Sequence, residues 1–151
     1  MNNIIYRVTS IFTGALLLAA TVFVLTKWQA MPDQIPTHYN FKGEVDGYGG
    51  KGFIIFEIVM AWFIYITMKI TVKFPKRWNM PFKITPQNKE KMYSITRGML
   101  EIVTLLTVFI FILLMVTSAI CVIPPAWLIM LIVAILFAVI GIAMFLMYKN
   151  R

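Results

Sequence analysis

Four apolar runs limit what this chain can become: Val8 to Leu25, Phe53 to Ile70, Met99 to Ile123 and Ala126 to Met147. A hydrocarbon core about 30 Å thick is crossed by a helix of roughly 20 apolar residues, so each run is of spanning length. Inside hydrocarbon a lone segment must satisfy its own backbone N–H and C=O groups, which makes these runs helices. The spans fall at about residues 8–27, 53–71, 99–123 and 126–148, with loops at 28–52 and 72–98 and a short link at Pro124-Pro125. Little chain remains between them, so the 151 residues read as a single four-span domain of an all-α integral membrane protein. Composition agrees: 60% of the residues are hydrophobic and 13% charged, against about 25% charged in soluble domains. That excludes an ordinary soluble, a disordered or a disulfide-rich chain. Cys121 is the one cysteine, so no intrachain disulfide and no cysteine-based metal cluster can form.

The charge is lopsided, with 14 Lys and Arg against 6 Asp and Glu, net +8. A basic balance can signal nucleic acid, but here the apolar runs make the lipid bilayer the partner instead. The segment 72–98 holds Lys73, Lys76, Arg77, Lys83, Lys89, Lys91 and Arg97 against Glu90 alone. The first loop balances Lys27, Lys42 and Lys51 with Asp33, Glu44 and Asp46. The positive-inside rule puts 72–98 in the cytoplasm. Both termini follow, in keeping with Arg7, Lys149 and Arg151, and the first loop faces outward. The first run lacks a small-x-small cleavage site after it, so it reads as an uncleaved helix.

Smaller signals fill in the frame. Trp28, Tyr48 and Trp127 fall at the outer interface, and Tyr6, Phe74, Trp78, Tyr93 and Tyr148 at the inner one, as aromatic belts do. Thr85-Pro86 reads as an N-cap with proline at the first helical position, starting the third helix two or three turns before its span. Topology alone explains the basic loop, although Phe74, Trp78 and Phe82 among its cations would also suit anionic headgroups. Ala134, Ala138 and Gly141 give the fourth span small residues that permit close helix contact with another membrane protein or a second copy.

The outer loop carries the unusual residues. It holds the sole histidine, His38, with Pro32 and Pro36 and four glycines: Gly43, Gly47, Gly49 and Gly50. Prolines fix φ and extend their neighbours, so Ile35 to Phe41 should run extended. Lys42-Gly43-Glu44 should turn, Val45 should return, and Asp46-Gly47 is a second turn signal. This punctuation predicts a small, ordered, β-hairpin-like cap. Asp33, His38, Asn40 and Asp46, with Lys51 and with Glu57 about one turn inside the second span, form the one polar constellation facing out. They are the candidate ligand-binding residues. The plainer alternative has His38 and Asn40 bonding loop backbone, Asp46 capping a turn and Lys51 pairing with Glu57. His38, Asp33 and Asp46 are the candidates for a metal, but zinc takes three or four donors and a single histidine with carboxylates is a thin set. No Ser-His-Asp arrangement, H-E-x-x-H or phosphate loop is present, and neither catalysis nor a cofactor is expected.

The loop from Pro32 to Lys51 reads PDQIPTHYNFKGEVDGYGGK. It resembles the signature P-x-x-I-P-x-H-x-N-x-x-G-x-x-D-x-x-x-x-K of the bacterial membrane family called domain of unknown function 1648, which forms the N-terminal part of SdpI-type toxin immunity proteins. The resemblance covers roughly Tyr6 to Thr71. It implies a multi-pass protein of the bacterial cytoplasmic membrane and, in the SdpI-type members, protection against a secreted peptide toxin, sometimes with capture of a cytoplasmic repressor. The expectation is a non-enzymatic membrane protein whose outer loop recognises an extracellular or envelope ligand, a peptide toxin above all. The rivals are an outer-leaflet enzyme acting on lipid or peptide and an accessory subunit of a transporter. Within the spans, Glu101 lies four residues after Arg97 and level with Lys69 and Lys73, which favours a structural ion pair.

The charge asymmetry makes a topology prediction. With Cys121 replaced by serine, Glu44→Cys should react with an impermeant thiol reagent in intact cells and Gln87→Cys should not. The reverse pattern would invert the orientation.

Overall fold

The structure, a computed structural model, describes residues 3–40 and 42–151. Four helices form: α1 (Asn3–Lys27), α2 (Phe53–Lys73), α3 (Lys89–Ala119) and α4 (Ala126–Lys149). All four are long and apolar enough to cross a membrane. Between α1 and α2 lies a two-stranded antiparallel hairpin, β1 (Gln34–Tyr39) and β2 (Val45–Gly50). The four-helix membrane fold with a small ordered cap is therefore as the sequence implies.

The helix α3 is the centre of the bundle and packs on each of the other three. Its buried positions Glu101, Thr104, Val108, Ile112, Met115 and Ala119 recur at three- and four-residue steps, the spacing that lines one helical face. The α1 seam, Thr13, Leu17, Ala20 and Val24, has the same rhythm. Ile54, Ile58 and Ala61 of α2 close this cluster, together with Met31 and Ile35 from the cap. The cap is thus rooted in the bundle core, with Ile35 fully buried. The outward faces carry large apolar side chains such as Ile11, Phe63, Phe137 and Phe145, as lipid contact requires.

Polar side chains in the interior are tied locally or across helices. Tyr65 donates to the Ser10 carbonyl at 3.0 Å, and Trp62 Nε1 to Thr21 Oγ1 at 3.2 Å. Gly14 makes room for Tyr65: a Cβ there would lie 2.6 Å from the tyrosine hydroxyl. Glu101 pairs with Lys69 across the α2–α3 contact. Tyr6, expected in the inner aromatic belt, is instead buried, and its hydroxyl donates to the Ser94 carbonyl at 3.1 Å. Ala134, Ala138 and Gly141 are exposed on α4, and the buried small residue of that helix is Ala143.

Both ends of α3 are built by local chemistry. Thr85 Oγ1 accepts from the Asn88 N–H while Asn88 Oδ1 accepts from the Thr85 N–H. This reciprocal pair closes the turn that precedes the helix, with Lys89 N–H bonding Thr85 O. The helix α3 itself starts at Lys89 with Asn88 at its N-cap and, among the described residues, no side-chain cap there, so Thr85-Pro86 sits a turn ahead of the helix rather than at its start. At the other end the apolar run continues to Ile123, but the helix stops at Ala119. Val122 N–H bonds Thr117 O at 2.9 Å, Cys121 N–H bonds Ser118 O at 3.2 Å, and Cys121 has φ 56°. That is a Schellman stop with cysteine where glycine is usual. An L-residue in this region costs about 1–2 kcal/mol relative to the right-handed one.

Cys121→Gly should therefore raise stability by about 1 kcal/mol, and Cys121→Val should lower it, read by thermal unfolding in detergent micelles. Equal midpoints for the three proteins would mean that the turn carries no such strain.

Candidate functional site

The cap's geometry follows from its turn residues. Asn40 N–H bonds Glu44 O at 2.9 Å and Gly43 N–H bonds Asn40 O at 2.8 Å, with Gly43 at φ 81°. This is the bond pattern of a hairpin loop closed by a glycine bulge. The Asn40 side chain locks it: Oδ1 accepts from the N–H groups of Lys42 and Glu44, and Nδ2 donates to Glu44 Oε2 at 2.8 Å. The extended run was expected to reach Phe41, which lies outside the described residues; β1 itself ends at Tyr39.

Asp46-Gly47 does not turn. Both residues lie within β2, with Gly47 opposite His38. A Cβ on Gly47 would fall 2.9 Å from His38 Cβ, and one on Gly49 would fall 2.9 Å from Thr37 Cγ2. The glycines here leave room for cross-strand side chains rather than supplying a second bend. The neighbouring Asp46 is thereby brought alongside His38, and Asp46 Oδ1 stands 2.5 Å from His38 Nδ1. Both side chains remain open to solvent, His38 at 71% and Asp46 at 43% of full exposure.

The hairpin tip leans on the start of α4. A Cβ added to Gly43 would come 2.6 Å from Ala126 Cβ. Between the two elements runs a cleft of about 430 Å³. His38, Asn40 and Asp46 stand on its hairpin side, and Pro124, Ala126, Ile129 and Met130 on its helix side. Its size falls within the range of about 300–1,000 Å³ typical of small-ligand sites. One wall is polar and the other apolar.

The remaining candidate residues lie elsewhere. Asp33 and Lys51 pair at 3.0 Å at the base of the hairpin, where the Lys51 N–H also bonds Asp33 O at 2.9 Å. The Lys51 ammonium sits 5.7 Å from the Trp28 ring centre. Lys51 thus takes Asp33, not Glu57, as its ionic partner, because the strand ends bring those two side by side. Asp33 is kept away from His38 and Asp46, and among the described residues no three His, Cys, Asp or Glu side chains group as a metal site would need. Glu57 is buried in α2, and its Oε2 has no hydrogen-bond partner among the described residues.

Tyr39, which the sequence reading passed over, lines the cleft. Its hydroxyl oxygen is buried and forms no hydrogen bond of good geometry among the described residues. Burial holds its pKa above the usual 10.0; nearby Ser118 acts in the opposite sense, and Glu57 and Tyr48 add to the rise. The hydroxyl is therefore protonated at neutral pH, a buried donor between the cap and the end of α3. The alternation of side chains along β1, with Ile35 inward, could have marked Tyr39 as inward too.

Residues 15–64 match the family model described as Domain of unknown function (DUF1648). The matched segment runs from within α1, through the whole hairpin, into α2. No curated protein and no solved structure matches the chain.

Gly43→Ala should unseat the tip from α4, since it meets both a left-handed φ and a blocked Cβ position. The expected cost is about 1–3 kcal/mol, with faster hydrogen exchange at the Asn40 and Gly43 amides. Gly52→Ala is the comparison, with open space around its Cβ, and should change stability by less than about 0.5 kcal/mol. Equal effects would deny the tip its role in holding the cleft.

Proposed function

We propose that the cleft between the hairpin and α4 is a recognition site for an extracytoplasmic peptide, and that binding there confers immunity to the peptide or senses it. The observation that carries this reading is the pairing of two unlike walls: an exposed, hydrogen-bonded His38–Asp46 couple faces the apolar side chains Ile129 and Met130. Membrane-active peptides are themselves amphipathic. A charged or polar group would bond the couple, and an apolar side chain would lie on α4. Charge-assisted bonds are the stronger kind, and apolar burial contributes about 25 cal/mol per Å². The loop charge bias supports an outward-facing cleft, and the resemblance of the hairpin signature to SdpI-type immunity proteins supports a peptide as the ligand.

A second reading has one observation in its favour. A carboxylate bonded to one imidazole nitrogen is the arrangement that orients a histidine general base. An outer-leaflet hydrolase would use the couple in that way, with water as nucleophile.

The test is a challenge of cells with and without this gene by a panel of secreted antimicrobial peptides. At equal membrane levels, His38→Gln and Asp46→Asn should each lower the protective concentration about tenfold or more, the loss of one charge-assisted bond being about 1.5–3 kcal/mol. Gln29→Ala, at an exposed position outside the hairpin, should protect as the parent does. Absence of protection against every peptide, or loss in Gln29→Ala equal to that in the other two, would defeat the recognition reading. Peptide recovered as fragments rather than intact would select the hydrolase.

A further inference from the structure

We infer that the chain holds an anionic phospholipid headgroup in a cationic cleft at the end of the bundle opposite the hairpin. This cleft, of about 720 Å³, opens between α1, α2 and α3. Four cations line it, Arg7, Lys69, Lys73 and Arg97, against one acid, Glu101. They come from three helices: Arg7 from the start of α1, Lys69 and Lys73 from the end of α2, and Arg97 from α3. Every fully buried residue of α2 lies between Ile54 and Ala61, so the other half of that helix leaves this space unfilled.

The cations are held in different ways. Lys69 is fixed deep by its ion pair with the buried Glu101, and its ammonium lies 5.4 Å from the Tyr65 ring centre. The Arg97 guanidinium lies 5.8 Å from the centre of the Tyr6 ring, and that ring is itself anchored through its hydroxyl. Arg7 and Lys73 are exposed at the rim. One carboxylate cannot balance four cations, so the cleft has a surplus of positive charge suited to a phosphate, which arginine binds through paired N–H donors. Such basic pockets between spans are where anionic headgroups lodge.

The ligand is a lipid rather than a free phosphate because the same cleft is partly apolar. Ile11 and Val72 line it beside the cations, and Ile11 is 70% exposed on the lipid-facing surface of α1. A phosphate at Arg7 and Lys73 would leave its acyl chains beside Ile11 and Val8, which is also exposed. A free anion would gain nothing from those contacts.

The full chain, delipidated in detergent, would be titrated with phosphatidylglycerol, phosphatidylcholine or inorganic phosphate, and bound lipid counted by native mass spectrometry. One phosphatidylglycerol should be retained about tenfold more tightly than phosphatidylcholine. Arg7→Gln with Lys73→Gln should weaken that retention about tenfold or more, at about 1 kcal/mol per basic residue. Lys83→Gln with Lys89→Gln removes the same charge outside the cleft and should change it less than about twofold. Lys73→Arg should retain lipid as the parent does. Equal losses for the two double variants would reduce the effect to bulk charge, and equal retention of the two lipids would remove the site. Displacement of phosphatidylglycerol by millimolar inorganic phosphate would make the cleft a free-anion site; each of these results overturns the inference.

Discussion

Hydrocarbon offers no water to an unpaired polar group, and this constraint organises the whole bundle. Threonines in the spans return their hydroxyls to carbonyls one turn back, as Thr13, Thr21, Thr96, Thr104 and Thr117 do. Residues with longer reach cross between helices: Tyr6, Trp62 and Tyr65 donate to neighbours, and Lys69 meets Glu101. Interhelical polar contacts in membranes are worth about 0.6–2 kcal/mol each. Against that background two groups stand out. The Tyr39 hydroxyl and Glu57 Oε2 are buried without a well-formed partner among the described residues. Glu57 lies close enough to Tyr39 to raise its pKa, so these two atoms share one neighbourhood, where the hairpin meets the bundle.

The hairpin is too small to be stable by its own packing, since isolated two-stranded ribbons are marginal in water. Three attachments hold it. Ile35 and Met31 enter the helical core. Asp33 and Lys51 tie the strand ends together. Gly43 rests on Ala126. The last attachment works only because a glycine at that position both accepts the left-handed φ and presents no Cβ to the helix. With base and tip fixed, the His38–Asp46 couple is a hydrogen-bonded pair on an anchored ribbon rather than on a free loop. Positioning of that kind reduces the ordering cost of binding.

The spans, the cap and the glycine turn were legible because each rests on local chemistry: hydropathy over a helix length, or a proline–glycine pattern over a few residues. Four features were not. Hydropathy ran through Ile123, but Cys121 took a conformation that the sequence marks only with glycine or asparagine, so the end of α3 was hidden. Asp46-Gly47 has the composition of a turn; its glycine answers instead to the bulk of His38 on the opposite strand, a contact fixed by register. Lys51 stands six residues from Glu57 and eighteen from Asp33, and strand pairing chose the more distant one. The apolar wall of the cleft had no signal at all, because Ile129 and Met130 look like any other residues of a spanning helix until α4 is placed beside the hairpin.

That placement divides the cleft between two parts of the chain under different physical constraints. The hairpin wall falls inside the segment that matches the family model, and the α4 wall falls outside it. The hairpin must keep Gly43, Gly47 and the Asn40 lock to remain a hairpin, whatever it binds. The α4 wall needs only to be apolar and long enough to cross lipid. Substitutions at Ile129 or Met130 can therefore reshape the cleft by a methylene or a branch without disturbing either the ribbon or the span. Each such change alters apolar burial by about 0.8 kcal/mol per CH₂. In the proposed peptide site, a fixed polar wall set against an adjustable apolar one would let a ligand's orientation stay constant while its side-chain preference shifts.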